Sequence, residues 1–256
     1  MSHVANESGT FVPDFIRTKA DFTAFVDDFL PELPLAPVRA AIETQYPAQG
    51  PPYNGDQRAR AGAVIRDSVF TCNTRQIYEA YKNRSIGLYM LQYDFLSSLN
   101  AALHASDLLP TFWNREMDTA KTLEKLLQLP AFLANFFASL FDISGYAPGY
   151  QSYFASHAVS GNPNSARRWN TVTWNNATDN GKEVTNVMET QFSAIFSFFD
   201  GTTVDHINTR AACDFWTNVA SQITNLMEIS GLGEPGLNGT GMDGNMGAGS
   251  QVPLEQ

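Results

Sequence analysis

The chain has 256 residues, 43% of them hydrophobic and 12% aromatic, with 18 Phe, enough to bury one sizeable core. Its formal charge is −10 and its Lys and Arg residues form no clustered stripe, which argues against a nucleic-acid partner. No basic stretch followed by an apolar core opens the sequence, so no secretory leader is read there. The most apolar run, 126–141, is shorter than the roughly 20 residues needed to cross a bilayer, so no transmembrane segment is expected.

Along the chain, Phe22, Phe25, Val26 and Phe29 recur at helical spacing, and Pro31 and Pro34 stop that helix. The segment APVRAAIETQYP predicts a short second helix closed by Pro47, and PAQGPPYNGD a loop. DQRARAGAVIRDSVFTCNTRQIYEAYKN predicts a long amphipathic helix carrying Cys72. SIGLYMLQYDF, residues 85–95, is short, apolar and aromatic, which suits a buried strand of a covered sheet. The loop after it holds His104, and a residue there sits at the carboxyl end of a strand, where open α/β sheets place ligands. The run 126–141 predicts a buried or partly exposed helix, and residues 146–160 another. GNPNSARRWNTVTWNNATDNGK is rich in turn signals, EVTNVMET predicts an edge strand, and residues 202–229 predict the last helix, carrying Cys213. Residues 229–256 hold eight glycines after position 230 and few bulky apolar groups, so a disordered tail is expected.

Few residues invite chemistry singly. The four histidines, His3, His104, His157 and His206, have no metal-ligand spacing, and no metal or cofactor is expected. No Gly-x-Ser-x-Gly occurs, and neither cysteine has the flanks of a thiol enzyme. Cys72 and Cys213 alone are ambiguous between free thiols and a bridge. Asn-x-Ser/Thr tripeptides stand at Asn6, Asn83, Asn176 and Asn238; Asn83 and Asn176 are the candidates for glycosylation. One histidine in an apolar loop is usually structural, and so is one acidic residue near a terminus.

Together, several segments say more. HVANESGTFVP and AALHASDLLPTFWN resemble the acid-bearing and histidine-bearing segments of type B carboxylesterases, the fungal carboxylesterase/lipase and cholinesterase-like group of the α/β-hydrolases. The pair Glu7 and His104 stands 97 positions apart, with Asp107 three residues beyond the histidine. RDSVFTCNTRQIYEAY, YFASHAVSGNPNS and CDFWTNVASQI resemble further segments of the same family in the same order. Two departures stand out: Ser8 follows the acid where many members have Gly, and Ala105 replaces the common Gly after the histidine.

The resemblance implies an α/β fold, with residues 1–228 forming the C-terminal part of an α/β-hydrolase domain and the first half of the sheet lying outside the sequence. It implies that Glu7 orients His104, that Asp107 supports that turn, and that a Ser nucleophile and oxyanion loop belong to upstream sequence. The chain alone would then be inactive, and strands such as 85–95 would expose unpaired edges. The resemblance also implies a Cys72–Cys213 disulfide, with roughly 4–5 kcal/mol of loop entropy, an extracellular setting, and small-molecule or lipid esters as substrates of the whole protein. The alternative is a non-catalytic, cholinesterase-like binding or adhesion module.

Overall fold

A computed structural model of the chain describes residues 2–5, 7–30, 36–84, 86–95, 102–114, 116–127, 130–143, 145–194 and 197–229. The expected tail beyond 229 and the tripeptides at Asn6 and Asn238 lie outside the described residues. Five strands and nine α-helices are present among those described.

The first helix begins where its sequence provides a cap. Thr18 Oγ1 accepts the Asp21 N–H at 3.2 Å, and Asp21 returns a carboxylate to the Thr18 N–H at 2.8 Å. This reciprocal pair satisfies two of the donors a helix start leaves open and fixes α1 at Lys19–Phe29. Next, α2 (Ala36–Gln45) ends just before Pro47, and Asp56 caps α3 (Gln57–Ile65) by accepting the Ala59 N–H at 2.9 Å.

The long helix expected over 56–83 is present with one interruption. Between α3 and α4 (Cys72–Tyr81) the backbone widens into a π-helical stretch, Arg66–Thr71. One extra residue in a turn rotates the following face by about 100°. Before this stretch, Val64 and Ile65 join the helical core; within and after it, Val69, Phe70 and Thr74 line the cavity described below, with Phe70 also packing against that core.

The strands form one mixed sheet. β1 (Ser2–Val4) pairs in parallel with β2 (Leu91–Tyr93), and β2 pairs in parallel with β4 (Glu183–Ala194). β5 (Ser197–Thr209) runs antiparallel along β4, whose first half also carries β3 (Thr178–Asp179). Three expectations change here. The strand expected over 85–95 narrows to Leu91–Tyr93 and is flanked on both edges, so β1 is the outer strand beside it. EVTNVMET is central, because its polar side chains find partners: Thr190, fully buried, accepts the Asp94 N–H at 3.1 Å. Residues 202–209 are strand, and the last helix, α9, spans Arg210–Ile229. The β-branched run Thr202–Val204 supports that strand, and Val187 pairs with Thr203.

Side-chain alternation sends β2 to two sides. Leu91 and Tyr93 join a tyrosine-rich core with Tyr146, Tyr150 and Tyr153 of α8 (Tyr146–Ser160), Leu109 of α5 (Leu108–Phe112) and Leu123 of α6 (Thr119–Leu127). In α7 (Ala131–Ile143), Ala134, Phe137 and Ala138 enter this core, while Phe132 and Phe136 face outward. On the other side Met90 and Val187 meet Tyr78 of α4, and beyond them α1, α2, α3 and α9 share a second core.

That second core is tied covalently. Cys72 at the start of α4 bridges Cys213 of α9, which resolves the cysteine ambiguity as a disulfide. Nearby, Trp216 Nε1 donates to Tyr46 Oη at 2.6 Å, and that hydroxyl donates to Asp67 at 3.0 Å. Burial, reinforced by the Asp67 charge, pushes the Tyr46 phenol far above its ordinary value. The buried Arg60 guanidinium lies 3.6 Å from the centre of the Phe22 ring and donates to Gln57 Oε1 and to the Glu43 carbonyl, a desolvated cation held by a π-face and neutral acceptors.

Candidate active site

Two turns follow the carboxyl ends of the parallel strands β1 and β2. The first begins at Glu7, which opens a 3-10 turn, Glu7–Thr10; the Glu7 side chain lies outside what the structure describes. Its register comes from β1, whose pairing with β2 continues through the Ala5 N–H to the Tyr93 carbonyl at 2.9 Å. Below it, Arg58 of α3 donates to the carbonyls of Gly9 and Val12 at 3.3 and 3.4 Å. Gly62 lets α3 approach: a Cβ there would stand 3.0 Å from Ser8 Oγ.

The second turn is the one expected around His104. The Ser106 N–H bonds to the Leu103 carbonyl at 3.0 Å and the Leu108 N–H to the Ala105 carbonyl at 3.1 Å, winding the chain into α5. Ala105 has φ +64°, a left-handed conformation that a side chain makes costly and glycine adopts freely. The Gly-to-Ala departure noted in the sequence therefore falls on a residue whose backbone favours glycine.

The two turns meet through aromatic rings. The His104 imidazole lies 5.0 Å, centroid to centroid, from Phe11 and 5.1 Å from Phe70, and those two phenyl rings stack at 5.8 Å. Phe11 lies four residues after Glu7, so the histidine packs on the turn that the acid opens. Phe70 comes from the π-helical stretch, whose widening aims it here. His104 is exposed and lines a cavity of about 370 Å³ with His3, Phe70, Thr74 and Asp107.

Asp107 occupies the N-cap position of α5 without accepting a capping bond there, and it lines the same cavity. After burial itself, the Asp107 charge is the chief influence raising the Tyr150 phenol well above its ordinary value. Asp107 thus lies between the histidine's cavity and the tyrosine core.

Sequence reasoning missed the group under β1. His3 points to the face opposite Val4, where its Nε2 lies 2.6 Å from Asp205 Oδ2, with both side chains 1% exposed or less. Asp205 Oδ1 also accepts the N–H groups of Ile207 and Asn208 at 3.2 and 3.0 Å. Burial raises its pKa, but the His3 charge and these bonds outweigh it and hold the carboxyl below its ordinary range. A His and an Asp 202 positions apart leave no local pattern to find. Phe11 and Phe70 read only as ordinary apolar residues, and Arg58 as one charge on a helix.

Comparisons with known proteins bear on the fold. The chain is 27% identical over 234 residues to a secreted lipase of Arthroderma benhamiae, covering 88% of this chain and 38% of the lipase. Its fold is similar to the crystal structure of Aspergillus niger EstA, with a TM-score of 0.57 at 19% identity over 86% of this chain and 39% of EstA. No family model matches the sequence. The chain therefore has part of the α/β-hydrolase fold. The sequence likeness is to a secreted lipase, of whose length the chain spans under two-fifths. No described helix is long and apolar enough to cross a membrane.

Proposed function

We propose that this chain supplies the acid–histidine half of an ester-hydrolase active site of the type B carboxylesterase kind. His104 is the base that takes a proton from a Ser hydroxyl and returns it to the leaving alcohol. Glu7 holds the imidazole in the required tautomer and stabilises its charged form, and Asp107 supports the turn. The observation that carries this reading is the packing of His104 on Phe11, which sets the histidine turn on the turn opened by Glu7.

The nucleophile is assigned to sequence beyond these residues, because no Gly-x-Ser-x-Gly occurs in the 256 and the chain covers 38% of the lipase it resembles. Backbone donors for the oxyanion are assigned to the same missing part. This polypeptide alone is then inactive on esters, while the whole protein acts outside the cell on small-molecule or lipid esters. The oxidised Cys72–Cys213 pair supports that oxidising setting.

A fusion tests the assignment. The part of the Arthroderma lipase that precedes the matched segment is joined to this chain, and hydrolysis of p-nitrophenyl butyrate is followed. The expected result is no turnover by the chain alone and turnover by the fusion. His104→Ala in the fusion should lower kcat by at least about 10⁴-fold. Hydrolysis by the chain alone that is lost in His104→Ala sinks the half-site reading, and a fusion indifferent to His104 sinks the assignment of the base.

A further inference from the structure

At the end of β2 away from His104, the segment 86–89 runs over a second cleft of about 590 Å³. Its walls include Ile77 and Tyr81 of α4, Ile86, Tyr89, and Phe154 of α8. Ile77, Tyr81 and Ile86 leave 50%, 46% and 57% of their surface in water, an apolar cluster of the kind that marks a covered surface. The exposed turn 82–84 that ends α4 follows Tyr81 on this rim, and Asn83 stands on it, in the acceptor tripeptide Asn83-Arg84-Ser85, which ends one residue before the rim's Ile86 in sequence.

We propose that Asn83 carries an N-linked glycan whose first sugars lie over this cleft and cover its aromatic wall. The tether selects the occupant, because the attachment point stands, in sequence, between two of the cleft's own lining residues. The chemistry fits as well. One face of a pyranose ring presents polarised C–H groups, which pack against the negative face of an aromatic ring. Arg84, whose guanidinium stands 5.7 Å from the centre of the Tyr81 ring, adds donors for sugar hydroxyls.

The second tripeptide at this rim is not assigned the glycan. The Asn176 carboxamide is folded against the chain, its Oδ1 lying 3.0 Å from where a Cβ on Gly87 would stand. Ala177 is held by its N–H to the Leu88 carbonyl at 2.7 Å, and Thr178 Oγ1 is engaged with Thr185 Oγ1 at 2.6 Å.

The co-reactant is a lipid-diphosphate-linked oligosaccharide supplied by the host's secretory transferase. The Asn83 amide nitrogen bonds to C1 of the sugar while the C1–O bond to the lipid diphosphate breaks. The lipid diphosphate leaves with the electron pair and the amide gives up one proton, with no change in oxidation state.

The chain is produced in a secreting yeast as wild type, Asn83→Gln and Ser85→Ala, and peptides are mapped after enzymatic deglycosylation in heavy-oxygen water. Heavy Asp is expected at position 83 in wild type, an unmodified Asn176, and no mark at 83 in either variant. Hydroxyl-radical labelling of Tyr81 and Ile86 should be severalfold slower in the glycosylated chain than in Ser85→Ala, and protection should survive trimming to a single N-acetylglucosamine. A bare Asn83 overturns the proposal, and the state of Cys72–Cys213 in the same map says whether the extracellular reading falls with it. An occupied Asn83 with equal labelling of Tyr81 overturns the covering of the cleft. The map reads equally on chain retained inside the cell, so poor export does not blunt it.

Discussion

The turns after β1 and β2 leave neighbouring parallel strands at the same edge of the sheet, yet different forces hold them. The Glu7 turn is braced from beneath: Arg58 bonds its Gly9 carbonyl and the Val12 carbonyl just beyond it, and α3 presses against Ser8 at Gly62. Under the strand that feeds it lies the buried His3–Asp205 pair. The His104 turn rests on its own backbone bonds, two aromatic rings and a left-handed Ala105. The turn that carries Glu7, the residue proposed to orient the imidazole, is braced by polar bonds, whose geometry is directional. The residue assigned to move protons is held by ring packing, which limits position while leaving the ring nitrogens to other partners. The braced turn should therefore fail through loss of support and the other through change in its backbone.

The largest effect is expected where both turns share one foundation. Phe70 lies two residues before Cys72, so the disulfide holds the π-helical stretch on which His104 packs. Replacing Cys72 and Cys213 together by Ala should lower unfolding stability by up to about 5 kcal/mol, as closing so long a loop implies, read as a shift in the urea midpoint. Next comes Asp205→Ala, which leaves His3 buried without its carboxylate and should cost about 3 kcal/mol or somewhat more. The pH dependence has a definite sign. Asp205 is held below its ordinary range, so its contribution is complete above the unfolded value, near pH 4, and is lost as pH falls through the lower folded value. Asp205→Asn should flatten that acid limb; an unchanged limb would show that other carboxylates cause it. A smaller effect is expected at the brace itself: Gly62→Leu overpacks α3 against Ser8 and should cost about 1–3 kcal/mol, with amide NMR shifts concentrated at residues 8–12.

Much of this was legible in the sequence, and the reasons differ by element. Helices with a periodic apolar face and a local cap, such as α1 behind Thr18 and α3 behind Asp56, follow from short-range rules. The candidates Glu7 and His104 come from the resemblance of their two strings to a family, and the structure sets those strings in turns that follow β1 and β2. The hairpin was misread because strand identity depends on the partner: Thr190 and Glu183 read as edge residues until Asp94 and β5 supply their contacts. Gly201 sits inside β5 because any Cβ there would strike the Thr173 carbonyl, a constraint set by a loop 28 positions away. The His3–Asp205 pair and the turn of Phe70 toward His104 arise from tertiary register and from one extra residue in a helical turn. Neither leaves a local signature.

The smallest effect bears on the strained turn. Ala105 at φ +64° carries a cost of about 1–2 kcal/mol for a residue with a Cβ, and glycine would relieve it. Glycine also widens the unfolded ensemble by roughly 0.4–1 kcal/mol, so Ala105→Gly should stabilise the chain by about 0.5–1 kcal/mol net. Arg58→Ala, by contrast, loses bonds to two carbonyls and should destabilise by a similar amount. Opposite signs from the two substitutions, measured by thermal unfolding in the same buffer, would establish that one turn is strained and the other braced. If Ala105→Gly instead destabilises, the aromatic packing around His104 depends on the stiffness of the backbone beside it, and the left-handed alanine is a support of the site in its own right.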